Sequence, residues 1–187
     1  MEPAGDVELT HHSAEEARSL LDELCDGYAD AYGVESSAEK TSAFRDRATK
    51  ALERDHFDLV TARAGDTLAG FAFGYSIPAR SAWWDNLEPE PSEEFRTETG
   101  SRTVLLAELE VRKAWQGKRL GRSLHDEFLS SRREERATLS ANPDAVDVQS
   151  IYGRWGWEKI GRRSRRPGDY LAAYDLYVLP LAAREGR

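Results

Sequence analysis

The sequence predicts a mixed α/β domain with a central sheet, and three observations lead to this fold class. The chain has 187 residues, of which 40% are hydrophobic and 10% aromatic, enough for the core of one ordinary domain. Segments with helical spacing of apolar residues alternate with strand-like runs in the order β-α-α-β-β-β-α-β-α-β-β. A strand, a glycine-containing turn and an amphipathic helix follow one another near the middle of that order. We therefore expect one α/β domain over residues 1–187, with about six or seven strands and about four helices.

Two helices are predicted before the first long strand. Ser13 and Glu16 form a capping box at the start of the first helix, which follows a short strand-like stretch. Ser36 and Glu39 offer a second capping box, ahead of a helix that is expected to end near His56.

The remaining strands are separated by turn signals. Gly65-Asp66 lies between "FDLVTARA" and "TLAGFAFGYSI" and suits a tight hairpin turn. Residues 78–102 are rich in proline, acidic and aromatic residues, and we expect a long ordered loop there. "TVLLAELEV", residues 103–111, is an apolar strand that contains two glutamates. Two further strands are expected near the C-terminus, around 158–162 and within "YLAAYDLYVLP".

Composition limits the function classes. The chain carries 26 basic and 34 acidic residues, a net charge of −8, which argues against a nucleic-acid scaffold and favours a cationic small molecule as partner. Cys25 is the only cysteine and is expected in the core of the first helix, so a reducing compartment is indicated. The N-terminal stretch shows no signal peptide or membrane span, so we expect a cytoplasmic protein with no membrane partner. The four histidines lack ligand spacing, and no metal is expected.

The segment "QGKRLG" stands where the central strand gives way to a helix. The first turn of a helix carries unpaired N–H groups and a positive dipole end. Gly117 and Gly121 would let the backbone approach a ligand, and Lys118, Arg119 and Arg122 add positive charge. A phosphate or pyrophosphate is the expected ligand, with a solvated basic turn as the alternative. The pattern is neither a Walker loop nor a three-glycine dinucleotide fingerprint.

The stretch "LEVRKAWQGKRLGRSL" resembles the coenzyme A signature of the GCN5-related N-acetyltransferases (GNAT), which reads Arg/Gln-x-x-Gly-x-Gly/Ala after a strand ending in valine. Gln116 and Gly121 match, and Val111 stands five residues before Gln116. "IYGRWGW", residues 151–157, is similar to the family's aromatic-rich helix end. The specific motifs cover about residues 103–161. The resemblance implies a mostly antiparallel central sheet flanked by helices, and acetyl-CoA as co-substrate.

The resemblance also implies which residues hold acetyl-CoA. The backbone of Leu109, Glu110 and Val111 would bind the pantetheine arm and the acetyl carbonyl. The residues that would wrap the pyrophosphate are Gln116, Gly117, Lys118, Arg119, Leu120, Gly121 and Arg122.

Two positions depart from the family pattern. Arg119 stands where the pattern has a glycine, so we expect a negative φ there and a guanidinium contact to phosphate in place of flexibility. Ala145 stands where an asparagine often precedes the tyrosine by seven residues, so one side-chain contact to the cofactor is expected to be missing.

Acyl transfer to an alkylamine needs a base, because an amine with a pKa near 10 is neutral in only about one part in a thousand at pH 7. Glu108 and Glu110 have like-facing side chains in an apolar strand, where burial raises a carboxylate pKa toward the range of a general base. We favour Glu108, directly or through water, and Glu110 next. The alternative for each is a pairing with arginine or a place at a solvated edge.

The resemblance implies Tyr152 as the proton donor to the departing thiolate, with a core tyrosine as the alternative. The oxyanion would be held by a backbone N–H near Val111. Trp83, Trp84 and Asp85, in the acidic loop, suit a cationic amine acceptor, with a solvated loop as the alternative. The basic run "RRSRR" in the final hairpin could face an anionic acceptor, pair with the acidic loop, or meet another subunit.

The leading hypothesis is therefore an acetyl-CoA-dependent N-acetyltransferase that acts on the primary amine of a small molecule, such as an antibiotic, a polyamine or an amino-acid-like compound. Acetylation of a protein lysine or N-terminus is the first alternative. The second is a regulatory module that binds an acyl-CoA without turnover. No nucleic-acid partner is expected, and a homodimer is left open.

Overall fold

A computed structural model describes residues 6–181 of the chain. It divides into two compact units. The first unit holds the residues up to Tyr75 together with Leu106–Arg132, and the second holds Ser76–Leu105 and the residues from Arg133 onward. The expectation of one domain over the whole chain stays a prediction.

The described residues form eight strands and five α-helices. The strands are β1 (Val7–His12), β2 (Asp58–Ala64), β3 (Thr67–Ser76), β4 (Leu87–Glu88), β5 (Thr103–Val111), β6 (Arg136–Ala141), β7 (Glu158–Ser164) and β8 (Ala173–Pro180). The helices are α1 (Ala14–Tyr32), α2 (Glu39–Ala51), α3 (Glu93–Arg96), α4 (Leu120–Ser130) and α5 (Val146–Arg154), with a 3₁₀ turn at Lys113–Trp115.

The strands form one mixed sheet in the order β1-β2-β3-β5-β6-β8-β7-β4. Strands β5 and β6 run parallel, whereas the pairs β1–β2, β2–β3, β6–β8, β7–β8 and β4–β7 are antiparallel. This confirms the predicted fold class. Two short elements inside the loop of residues 78–102, β4 and α3, were not predicted, and they bring the strand count to eight.

The first unit packs α1 and α2 against its strands. Leu24, Cys25 and Tyr28 of α1 share a buried cluster with Phe44 of α2 and Phe71 of β3. Cys25 is therefore a core residue, as expected. The predicted hairpin is present, since β2 and β3 pair Ala64 with Thr67 across a two-residue turn.

The capping box predicted for α1 is present, whereas the one predicted for α2 is not. The Ser13 hydroxyl accepts from the Glu16 N–H at 3.3 Å, and the Glu16 carboxylate accepts from the Ser13 N–H at 2.7 Å, which confirms the first capping box. The second was wrong. The N-cap of α2 is Ala38, and the Ser36 hydroxyl instead donates to Asp26 Oδ1 of α1 at 3.1 Å. Helix α2 also ends at Ala51, well before residue 56.

The second unit has a buried ion pair at its centre. Glu98 Oε1 accepts from Trp84 Nε1, from Thr103 Oγ1 and from Arg136 Nη2 at 2.8, 2.8 and 3.0 Å. The Arg136 guanidinium lies 4.2 Å from the ring centroid of Phe95. These contacts bind the long loop to β5 and β6, so the loop is ordered, as the sequence predicted.

Candidate functional site

Two glutamates lie on one face of the C-terminal half of β5. The first four residues of this strand are buried and the last five are half-buried. Because side chains alternate along a strand, Glu108 and Glu110 point to the same side. The structure thus brings together the two carboxylates that the sequence singled out.

Glu108 is paired with an arginine of α2. Arg47 donates from Nε and from Nη2 to Glu108 Oε1 at 3.0 and 2.9 Å. The Glu108 side chain is only 12% exposed, whereas that of Arg47 is 47% exposed. Of the alternatives that the sequence left open for Glu108, the arginine pairing is the one observed.

Glu110 is bound by a tyrosine at the end of α1. The Tyr32 hydroxyl donates to Glu110 Oε1 at 3.2 Å. Above the ring of Tyr32, the ammonium of Lys40 lies 3.5 Å from the ring centroid. Tyr28 packs between Tyr32 and Phe44, with ring centroids 4.6 and 4.3 Å away. We call this group the carboxylate cluster; its members are Tyr28, Tyr32, Lys40, Arg47, Glu108 and Glu110.

The spacing along α2 explains how this helix supplies two cations. Lys40, Phe44 and Arg47 stand at positions i, i+4 and i+7, which lie on one helix face. Phe44 is fully buried and holds that face against the core. The two cationic side chains on either side of Phe44 are therefore directed toward the same cluster.

Burial dominates the electrostatics of the two glutamates. Desolvation raises the pKa of Glu108, while the charge and hydrogen bonds of Arg47 counter this rise. The pKa of Glu110 is raised well above its ordinary value, by desolvation first and then by the neighbouring charge of Glu108. Because each carboxyl group influences the other, the pair titrates jointly, and Arg47 favours the ionised form of Glu108.

The raised pKa of Glu110 has a consequence for stability. Above the ordinary glutamate pKa of 4.5, the unfolded chain loses a proton that folded Glu110 retains. The free energy of unfolding should therefore fall as the pH rises from that value toward the folded pKa, by up to about 1.4 kcal/mol per pH unit. Glu110→Gln, which stays neutral, should remove this dependence and be more stable than the parent at pH 7. Urea unfolding over a pH series measures both; equal pH slopes in parent and variant would contradict the protonated state.

The turn that follows β5 is closed by Gln116, whose Nε2 donates to the Val111 carbonyl at 2.8 Å. Gly117 has a φ of 73° and Arg119 has a φ of 66°. The expected negative φ at Arg119 was wrong. Arg119 is the N-cap of α4 and adopts the left-handed conformation, whereas the N-caps of α1, α2 and α3 are extended. An arginine thus adopts the backbone that a glycine would adopt, at a cost of roughly 1 kcal/mol.

The same turn exposes positive charge. Lys118 and Arg119 are exposed, and neither forms an ion pair with any residue in the range 6–181. Arg122, one turn into α4, is paired with Asp126 at 2.8 Å. No side chain of the described chain caps the first turn of α4. The first turn of α4 thus has uncapped backbone N–H groups, and the charges of Lys118 and Arg119 lie exposed beside it, as a phosphate site would require. The third basic side chain, Arg122, is already paired.

Tyr152 lies in the second unit, near the end of α5. It is half-buried, and its ring makes edge contacts with Trp155 and Trp157 at centroid distances of 5.8 and 6.1 Å. The Tyr177 ring lies 6.5 Å away. The two tryptophans of the "IYGRWGW" segment, together with Tyr177, thus form an aromatic cluster around Tyr152.

The loop residues expected at the acceptor site differ in exposure. Trp84 is 2% exposed and donates its indole N–H to Glu98, so it packs inside the second unit. This burial corrects the expectation that Trp84 faces an acceptor. Trp83 is half-buried, with its indole N–H on Thr138 Oγ1 at 3.0 Å, and Asp85 is exposed. Their acceptor role stays a prediction.

The basic run of residues 162–166 is held by its own unit. Arg162 pairs with Asp175 at 2.7 Å, and Arg163 pairs with Asp169 at 2.9 Å. Arg166 donates to the carbonyl of Asp85 at 2.7 Å. Of the three alternatives for this run, namely an anionic acceptor, the acidic loop or another subunit, the observed contact is with the acidic loop. Arg166 binds the backbone carbonyl of Asp85 and not its carboxylate.

The sequence did not identify Arg47, Lys40 or Tyr32 as site residues. The i, i+7 spacing of the two cations was visible, but it is equally typical of a solvated helix face. Only the packing of α1 and α2 against β5 assigns them to the glutamates. Within residues 6–181, no three His, Cys, Asp or Glu side chains are grouped so that they could hold a metal ion. None of the described helices is long and apolar enough to span a membrane.

Comparison of the sequence with protein-family models gave no match, and comparison with curated protein sequences gave none either. Comparison of the fold with solved structures gave many matches that span nearly the whole chain. Aminoglycoside 6'-acetyltransferase type Ii matches with a TM-score of 0.65 at 14% identity, covering 95% of this chain and 99% of that one.

Two matching structures contain the coenzyme. The PaiA N-acetyltransferase from Thermoplasma acidophilum, in complex with coenzyme A, has a TM-score of 0.58 at 14% identity, with 94% of this chain and 99% of that chain covered. A GNAT family acetyltransferase from Elizabethkingia anophelis with acetyl-CoA bound has a TM-score of 0.56 at 13% identity, with 94% and 98% covered. At these identities the likeness concerns the fold.

Proposed function

Because the chain has the fold of the GCN5-related N-acetyltransferases, we propose that it transfers an acetyl group from acetyl-CoA to the primary amine of a small molecule. The observation that carries this proposal is the Glu108–Glu110 pair. It combines burial and a raised pKa on the strand that leads into the turn of residues 116–122, whose sequence resembles the coenzyme A signature. A base of this kind is what the deprotonation of an alkylammonium requires.

Two features of the chain fit acetyl-CoA as substrate. Strand β5 pairs with β6 only over Thr103–Leu105. Residues 109–111 lie beyond this pairing. We propose that their backbone groups bind the pantetheine arm and the acetyl carbonyl. The turn of residues 116–122 offers uncapped helix N–H groups and the exposed charges of Lys118 and Arg119 to a pyrophosphate. Arg119 adopts a left-handed backbone, the conformation that a glycine at this position of the family pattern adopts readily.

The contribution of the Arg119 side chain can be separated from that of its backbone. If the guanidinium binds phosphate, Arg119→Ala should weaken acetyl-CoA binding about tenfold at low salt, and less at high salt. Arg119→Gly is the matched variant, because it also lacks the guanidinium but relieves the left-handed strain. It should bind as weakly as Arg119→Ala while being more stable by roughly 1 kcal/mol. Calorimetry and urea unfolding measure the two effects; unchanged affinity in both variants would leave only the backbone as a ligand.

In the proposed reaction the carboxylate pair removes one proton from the acceptor ammonium. We propose Glu108 as the acceptor of this proton, because the hydrogen bonds and charge of Arg47 favour its ionised form. The neutral amine then attacks the thioester carbonyl, and a backbone N–H near Val111 stabilises the oxyanion. The thiolate leaves and takes a proton, for which we propose Tyr152 as donor, and the second proton of the attacking nitrogen restores the tyrosine hydroxyl, so that the products are the amide and coenzyme A. No covalent intermediate with the protein is needed.

The acceptor itself is proposed to be a cationic small molecule. The carboxylate cluster places aromatic rings beside carboxyl groups, which suits an alkylammonium. Trp83 and Asp85 remain the proposed acceptor contacts of the acidic loop. The single cysteine, Cys25, favours a reducing, cytoplasmic compartment.

The test is calorimetry with acetyl-CoA, followed by an assay of free thiol release with a panel of small amines and of lysine peptides. Saturable binding and turnover on small amines are expected. Turnover confined to peptides would favour the protein acetyltransferase alternative, and binding without any turnover would favour a regulatory acyl-CoA module. Absence of binding would refute the proposed function.

A further inference from the structure

Lys40 is the one lysine of the carboxylate cluster. Its ammonium lies 3.5 Å from the centroid of the Tyr32 ring, and the hydroxyl of that ring donates to Glu110 at 3.2 Å. The amine is thus one side chain away from the carboxyl pair that is proposed to deprotonate an acceptor. It already occupies an aromatic and acidic setting that a substrate alkylammonium would seek.

The chain holds Lys40 there through helix packing. The residue stands in the first turn of α2, and Phe44, one turn later, is fully buried against Tyr28. The next turn brings Arg47 onto Glu108. Lys40 is therefore carried by the same helix face that fixes the base, so its position relative to the carboxyl pair is set by the core.

We propose that Lys40 is an acetylation site of the protein itself, modified by acetyl-CoA bound within the same molecule. This inference rests on the proposed function, because it uses the same base and the same acetyl donor. Beyond the proposed function, it states that one of the amines that accept the acetyl group is a lysine of the protein itself.

The chemistry balances without a further reactant. The Lys40 ammonium gives one proton to Glu108, and the neutral Nζ attacks the thioester carbonyl. A bond from Nζ to the acetyl carbon forms, the bond from that carbon to sulfur breaks, and the second proton passes from nitrogen to the departing thiolate. The products are acetyl-lysine and coenzyme A. Burial lowers the pKa of Lys40 despite the nearby carboxylates, which increases the neutral, nucleophilic fraction.

Acetylation would change the cluster. The acetylated nitrogen carries no charge, so the cation above the Tyr32 ring and its attraction to Glu108 and Glu110 are lost. Since that attraction lowers the pKa of both carboxyl groups, their pKa should rise further after modification. A higher pKa leaves a smaller ionised fraction of the pair at neutral pH, so self-acetylation would reduce the fraction of molecules whose base can take a proton.

The experiment incubates the full-length protein with acetyl-CoA and no added amine, and follows acetylation of each lysine by peptide mass spectrometry. Lys50 is the internal reference, because it lies exposed on the same helix and reports the uncatalysed background. Lys40 should be acetylated far faster than Lys50, at a rate independent of protein concentration. In Glu108→Gln the rate at Lys40 should fall by about 10²-fold or more, while that at Lys50 is unchanged.

A control variant and two outcomes complete the design. Lys40→Arg keeps the positive charge but cannot be acetylated, so the modified peptide should disappear. Equal rates at Lys40 and Lys50, or a rate at Lys40 that Glu108→Gln does not alter, would overturn the inference. If the same preparation releases thiol with external amines while Lys40 stays unmodified, the inference fails alone; if acetyl-CoA does not bind, the proposed function fails.

Discussion

Replacing Glu108 by glutamine is expected to lower kcat for amine acetylation by about 10²- to 10⁴-fold, with little change in acetyl-CoA affinity. Glutamine keeps the size of the side chain but cannot take a proton. Arg47 would lose its carboxylate partner, yet it is 47% exposed and can be solvated, so the fold should survive. Thiol release under saturating acetyl-CoA measures the effect.

The control for Glu108 is Glu53→Gln, which removes an exposed carboxylate of the same unit that pairs with Arg18. Surface pairs of this kind contribute little, so its turnover should match the parent. Comparable activity in Glu108→Gln and in the parent would remove Glu108 from the mechanism. The same assay on Glu110→Gln then shows whether the second glutamate of the pair is the base.

Replacing Tyr152 by phenylalanine is expected to lower turnover by a similar factor, about 10²- to 10⁴-fold, because the departing thiolate would lose the proton donor that we propose. Phenylalanine retains the ring and its edge contacts with Trp155 and Trp157, so packing should be preserved. Binding of acetyl-CoA should change much less than kcat. Stopped assays for turnover and calorimetry for binding separate the two effects.

The matched control for this variant is Tyr170→Phe, since Tyr170 belongs to the same unit and is 58% exposed. It removes the same hydroxyl type from a solvated position and should leave turnover as it is. A parent-like rate in Tyr152→Phe would show that the tyrosine is only part of the aromatic cluster.

Local signals in the sequence predicted local structure well. The capping box of Ser13 and Glu16 and the two-residue turn at Gly65 depend on neighbours within a few positions, and both are present. The second capping box failed for a long-range reason, because the Ser36 hydroxyl is bound by Asp26 of the preceding helix. At Arg119 the residue type predicted a negative φ, but the turn that joins the 3₁₀ turn to α4 holds this residue in the left-handed region.

The sequence by itself determined the fold class and the presence of two like-facing glutamates on one strand. It also showed that this strand leads into a turn whose sequence resembles a coenzyme A signature. Periodicity and motif spacing carry this information, and they depend on residues near one another in the chain. Only the tertiary structure decided that Arg47 holds Glu108, that Tyr32 and Lys40 stand beside Glu110, and that Trp84 is buried. These contacts join residues that are distant in the sequence, and the raised pKa of Glu110 follows from burial that no local pattern encodes.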